Sequence, residues 1–518
     1  SAMKCPPPSA SKPGSRFLAA ALTLLLLGVV LLAACTPAVT TPAAPPPTAL
    51  LPEPTQPPTA SAIPTLAPAV ELTPEPAAVE TQPSAIPDRL PAYTFTATYA
   101  YSAHTLTVSE QISYTNRTSQ SFNQLLLVVE ANRYPGSLSI QSITAGGQPV
   151  SGYTLEGNRL NLPLPESLDA GGIIFLGLEY TLVLPEIPEP SDTARPQPYG
   201  FTLRQANLVD WYPYLPPYDE ASGWLAPEPG YFGEHQVLPL ADFRLTLRVP
   251  EIGVPLTVAA SAPAQALEDG TYYELPAARS FALSISPMYT VLTDEVEGIT
   301  VHSYCFTYDT YAGQAALDHT LQALALYQEL FGAYPRRALS VVQADFLDGM
   351  EFDGLYFLSR GFYNIYDSTP AGYLTAIAVH ETAHQWWYGL VGNDQAHEPW
   401  LDEALCTYAE RLYYERYYPD LLAWWWAYRV DFYEPSGPIN RTIYDYPTFR
   451  AYRDAVYLNG AHFLEALRLQ MGDEAFFATL RDYAAAFRGG FATSADLLAA
   501  FAAHTGEDLS PLFANFIE

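Results

Sequence analysis

The chain has 518 residues, too many for one ordinary core and enough for two or three domains. Hydrophobic residues make up 49% and aromatic residues 13%, so most of it can fold. The formal net charge is -31, from 24 Lys+Arg against 55 Asp+Glu. That balance argues against a nucleic-acid partner, which needs a basic face, and against docking on anionic lipid. Its plain reading is solubility outside the cell.

The N-terminus reads as an address. Ser1 and Ala2, ahead of Met3, are taken as a tag remnant. Lys4, Lys12 and Arg16 form a basic region, and an uncharged apolar run follows from Phe17 to Ala34. The run ends in Leu32-Ala33-Ala34-Cys35, which resembles a bacterial lipobox. Residues 1–35 are therefore expected to be a tag remnant and lipoprotein signal peptide. Cys35 would become the lipidated first residue, the only membrane contact of an exported protein facing outside the cytoplasm. An uncleaved transmembrane anchor is the alternative, and it too implies export. Residues 36–91 are rich in Pro, Ala, Thr and Ser and lack aromatics, so they cannot bury a core. They read as a proline-rich disordered stalk.

From 92 to 290 the pattern has period two. "YTFTATYAY" and "TLTVSEQISYTN" alternate bulky or β-branched residues with polar ones. Many short strands and no long helical pattern predict an antiparallel β-sandwich-like domain. The stretch 291–518 differs. "GITVHSYCF" and "ALSVVQADF" read as strands, "GQAALDHTLQALALYQELFG" as a helix, and nearly everything beyond Tyr373 as helical. This predicts a second, α+β domain. Of the four cysteines, Cys5 and Cys35 lie in the targeting segment. Cys305 and Cys406 read as two buried thiols, with pairing left open.

The chemistry sits in "VHETAHQWWYGLVGNDQAHEPWLDEAL". "YLTAIAVHETAHQWWYGLVG" reads as one helix, so His380 and His384 at i and i+4 project from one face. Two imidazoles and a carboxylate suit Zn²⁺ with an open fourth position, and Glu381 falls between them. Eighteen residues separate His384 from Glu403. Glu403 lies on a second helix among Trp400, Leu401, Ala404 and Leu405, which implies burial, and a buried carboxylate needs a partner.

This set of features resembles the gluzincin family of M1 zinc aminopeptidases. Three further segments match. "DGMEFDGLYFLS" is similar to the family's G-x-M-E-N rim strand, with Asp348 in place of the first glycine and Phe352 in place of the asparagine. "VYLNGAHFLEAL" is similar to V-Y-x-K-G-A, and "DWYPYLPPYDE" is loosely similar to a β-domain segment. The resemblance implies a β domain followed by a thermolysin-like catalytic domain, in a lipoprotein form lacking the family's large C-terminal helical domain. It implies one Zn²⁺ per chain on His380, His384 and Glu403. Glu381 would be the general base and Tyr457 the oxyanion donor. Gly349, Met350 and Glu351 would bind substrate, Glu351 through the free α-amino group of a peptide.

Gln205 is the sole candidate for the family's β-domain amino-group partners. Asp402 is a candidate to orient a ligand histidine. Trp386, Trp387 and Trp424-Trp425-Trp426 read as core packing more readily than as a cleft lining.

The expected activity is zinc-dependent release of N-terminal residues from peptides at the cell surface. The alternatives are a zinc endopeptidase with an open cleft and a catalytically inactive surface binding protein.

Overall fold

The structure is a computed structural model describing residues 89–188, 197–250 and 252–517. The signal peptide and nearly all of the stalk expected from the sequence lie outside these residues.

Period-two patterning becomes a large sheet. Strand β1 (Ala92–Ala100) buries Tyr93, Phe95, Ala97 and Tyr99 and turns its threonines outward. It pairs antiparallel with β2 (Thr105–Thr115). The other long strands are β3 (Leu138–Ala145), β4 (Ile173–Val183), β5 (Ala241–Arg248) and β6 (Gly270–Ala278). The sheet runs Gln265–Leu267, β6, β5, β1, β2, β4, β3, Gln148–Pro149. One pair departs from the antiparallel expectation: β1 and β5 are parallel, Ala92 opposite Asp242. Two such strands need a crossover rather than a hairpin, and here most of the β half intervenes. Smaller sheets of two, three and four strands complete this half.

One residue defies the pattern. Glu110 occupies an inward position of β2, fully buried, opposite Leu178 of β4. Neither carboxylate oxygen has a hydrogen-bond partner, and the neighbouring Tyr180 hydroxyl is also unpartnered. Burial pushes the Glu110 carboxyl well above its ordinary range. The folded state keeps a proton that the unfolded chain releases above about pH 4.5, so this group lowers stability as pH rises. Glu110→Leu is expected to stabilise by about 1–3 kcal/mol at pH 8 and by less at pH 5. Thermal or urea unfolding at the two pH values checks it. A gain independent of pH would mean that the carboxyl is not the cause.

The second half is built on a five-stranded sheet. Its strands are β7 (Tyr289–Val296), β8 (Ile299–Phe306), β9 (Ala338–Ala344), β10 (Gly349–Phe352) and β11 (Leu355–Ser359), in the order β7-β8-β9-β11-β10. The β8–β9 and β9–β11 pairs are parallel, and β9 and β11 are mostly apolar and buried on both faces. The edge strand β10 carries the "GMEF" residues. Helix α1 (Thr310–Phe331) packs on α2 (Tyr373–Ala383), which packs on α3 (Trp400–Tyr417). Helix α3 in turn packs on α4 (Gly460–Met471).

The helix expected to run past His384 stops at Ala383. The chain then turns tightly, Gly389 N–H donating to His384 O and Tyr388 N–H to Val391 O, with Tyr388 at φ 124. Trp386, Trp387 and Trp425 are fully buried core residues. Cys305 and Cys406 are free, buried thiols. No helix among the described residues is long and apolar enough to cross a membrane.

Candidate metal centre

His380 and His384 reach Glu403 across the α2–α3 contact. His380 Nε2 lies 3.2 Å from Glu403 Oε2, His384 Nε2 3.5 Å from the same oxygen, and the two Nε2 atoms are 3.2 Å apart. All three residues are at most 4% exposed. Each outer nitrogen has an acceptor: His380 Nδ1 donates to Glu410 Oε1 at 3.0 Å, and His384 Nδ1 to the Trp387 carbonyl at 3.1 Å. With the ring protons on Nδ1, two Nε2 lone pairs and a carboxylate converge on one point with no proton between them. A cation at that point satisfies all three groups. Bonds of about 2.0–2.1 Å around a tetrahedral ion put its ligand atoms roughly 3.3 Å apart, so the donor set fits Zn²⁺.

Glu410 was not singled out by the sequence motif. It sits two turns along α3 from Glu403, with no exposed surface. Besides His380 it accepts from Trp425 Nε1 at 3.0 Å and from Arg429 Nε and its NH2 group at 2.9 and 2.7 Å. Burial opposes its charge, but Arg429 and His380 outweigh that and hold the carboxyl below its ordinary range. Glu410 therefore fixes both the tautomer and the ring orientation of His380. Asp402, the residue expected to do this, does not. Its Oδ2 accepts from Gln395 Nε2 at 2.9 Å and its Oδ1 from the Glu403 N–H, because its place one residue before Glu403 turns it off the ligand face of α3. Glu410→Gln is expected to weaken zinc binding about 10–100-fold, read by competition with a chelator of known affinity. Unchanged affinity would reduce Glu410 to a packing role.

Glu381 is 4% exposed and its Oε2 has no partner. Gly349 explains the fit around it, since a Cβ there would overlap the Glu381 carboxylate. The glycine lets strand β10 close on the carboxyl. The preceding Asp348 takes φ 63, a left-handed conformation that favours glycine and that aspartate tolerates.

Tyr457 projects from a π-helical stretch, Asp454–Asn459. Its hydroxyl donates to Glu403 Oε1 at 2.6 Å and its ring stacks on His380 at 6.0 Å between centroids. Gly460 follows because a Cβ there would strike Ala404 of α3.

Glu351, on β10, is 7% exposed and accepts from Gln395 Nε2 at 3.1 Å. The same amide holds Asp402, so Gln395 ties β10 to α3. Met350 and Glu351 line a cavity of about 220 Å³ reaching into the β half. Gln205 is not in it. Its side chain bonds Asn207 and Ser284 of the β half and Tyr289 and the Asp345 N–H of the second half, so it is structural. The β-half carboxylates at the cavity are Glu130, Asp210 and Glu234.

Residues 315–516 match the family model "Peptidase family M1 domain". That stretch, under half of the chain, is similar to peptidase family M1. Over 300 residues, 53% of this chain and 34% of the relative, the chain is 29% identical to Aminopeptidase M1-D of Oryza sativa subsp. japonica. It is 27% identical to Aminopeptidase N of Streptomyces lividans over 299 residues, 52% of this chain and 34% of that one. The chain thus spans about a third of the length of the curated relatives it matches. In fold it resembles a solved M1 zinc metallopeptidase from Deinococcus radiodurans, with a TM-score of 0.56 and 19% identity over 83% of this chain and 95% of that one. A two-domain M1 zinc metallopeptidase mutant solved with L-tryptophan gives 0.58 and 19% over 85% and 97%. At that identity the likeness establishes the fold alone, a β-rich half followed by an α+β half.

Proposed function

We propose that this protein is a zinc aminopeptidase, releasing N-terminal residues from peptides. The observation that carries the reading is one cluster of buried groups: the His380–His384–Glu403 centre, the partnerless Glu381 oxygen, and Glu351 on the edge strand β10. Its relatives are named aminopeptidases, which supports the same reading.

His380, His384 and Glu403 would hold the ion, which supplies Lewis-acid polarisation of the scissile carbonyl and a more acidic water. Glu381 takes the proton of the attacking water on its free oxygen and passes it to the leaving amine. Burial pushes the Glu381 carboxyl well above its ordinary range, as suits a group that must accept a proton and give it back. The Tyr457 hydroxyl turns from Glu403 toward the oxygen on which negative charge develops. Glu351 receives the substrate ammonium, so the first peptide bond falls at Glu381. The free edge of β10 can pair with the substrate backbone as an added strand.

The test is cleavage of matched peptides with free and N-acetylated termini. The free form is expected to be cut and the blocked form not. Equal cleavage of both would replace this reading with an endopeptidase. No chelator-sensitive cleavage of either would replace it with a binding protein.

The lipobox-like Leu32-Ala33-Ala34-Cys35 and the proline-rich stretch support a place for the enzyme at the outer cell surface. Cys35→Ala is expected to move it out of the membrane fraction. Unchanged fractionation would remove the lipid anchor.

A further inference from the structure

Gln395 lies in the loop between α2 and α3, is buried, and lines the cavity beside Glu351. Both protons of its Nε2 are committed, one to Glu351 Oε1 at 3.1 Å and one to Asp402 Oδ2 at 2.9 Å. Its Oε1 accepts no hydrogen bond from any described residue. An ionised carboxylate only accepts, so neither acid can serve that oxygen. A carbonyl walled in this way lacks a donor, and a ligand that brings one gains the bond.

The loop fixes this amide in place. Asp394 Oδ1 accepts from the N–H groups of Ala396 and His397 at 3.2 and 3.1 Å, and the Ala396 carbonyl accepts from the Ile443 N–H at 2.8 Å. The far end of the side chain is held by two acids on different elements, β10 and α3. An ammonium offers three protons, more than one carboxylate oxygen can take. Gln205, the β-half candidate to share them, has its amide filled. The Gln395 carbonyl sits one amide bond away from the nitrogen that holds Glu351. One ammonium about 2.9 Å from each can therefore bridge the Glu351 carboxylate and Gln395 Oε1.

We propose that Gln395 Oε1 is a second acceptor for the α-ammonium of the substrate, acting beside Glu351 and in place of a β-half side chain. The inference rests on the aminopeptidase reading and adds a specificity-determining residue to it. The probes are L-leucine hydroxamate and its deamino analogue, two zinc chelators that differ only in the amine, applied to the zinc-loaded enzyme. We expect the parent to bind the amine-bearing probe about 100-fold more tightly, and Gln395→Met to cut that preference about fivefold while the deamino analogue binds as before. The same cut is expected with Glu351→Gln already in place. A cut seen only when Glu351 is intact makes Gln395 a tie that positions the carboxylate, and overturns the acceptor role. A preference untouched by Gln395→Met overturns it too, as does equal weakening of both probes. A crystal structure of the unsubstituted enzyme with L-leucine hydroxamate needs no variant. The α-nitrogen should lie within about 3.2 Å of Gln395 Oε1, and a water or a gap between them overturns the inference. No preference for the amine in the parent enzyme overturns the aminopeptidase reading, and this inference with it.

Discussion

Glu381→Gln is expected to lower kcat by about 10²–10⁴-fold while the protein keeps its zinc. Glutamine has the same shape and leaves His380, His384 and Glu403 in place, yet it cannot accept a proton. Glu381 suits the base role because its Oε2 is buried without a partner, while Gly349 closes on the carboxyl from β10. A buried oxygen with no donor is a cost that a purely structural carboxylate would not retain. Metal analysis and steady-state rates on one preparation decide it. Loss of zinc together with activity would make Glu381 a ligand, and activity within tenfold of the parent would end its role as base.

Tyr457→Phe is the second large effect, a fall in kcat of about 10²–10³-fold with little change in KM. The ring would keep its stacking on His380, so the substitution removes only the hydroxyl. In the resting site that hydroxyl bonds Glu403 Oε1 at 2.6 Å. The two roles separate by measurement. If phenylalanine weakens zinc binding and leaves kcat intact, the tyrosine serves to hold Glu403.

The core of the site was legible in the sequence because it depends on local spacing. His380 and His384 share a helix face by the geometry of four residues, and the apolar neighbours of Glu403 announced a buried acid. The period-two runs likewise exposed the strands of the β half. What stayed hidden depends on partners far away in the chain. Glu410 is unremarkable until α3 packs on α2 and Arg429 arrives beneath it. Gln395 lies in a loop whose path no periodicity describes. Gln205 failed as an amino-group ligand because four bonds, two of them to the second half, occupy its amide. Asp402 failed because being adjacent to a ligand on a helix means pointing elsewhere. The parallel β1–β5 pair and the π turn under Tyr457 are equally invisible, since alternation reveals neither strand direction nor one extra residue in a helical turn.

The turn after His384 is held by a residue from the other half. Arg279, 2% exposed, donates to the carbonyls of Leu238, Gly389 and Gly490 at 2.8, 3.2 and 2.6 Å. The chain passes so close that a Cβ on Gly392 would meet the guanidinium. Burial lowers Arg279 to about 10, and three backbone oxygens together with the backbone tie to Asp353 make its charge tolerable there. Those acceptors leave the ribosome at very different times, Leu238 early and Gly490 some hundred residues after the histidines. The loop that orients His384 is therefore clamped only when nearly all of the described chain has been made. A chain that still lacks Gly490 has both histidines but not the full clamp on the loop that follows His384.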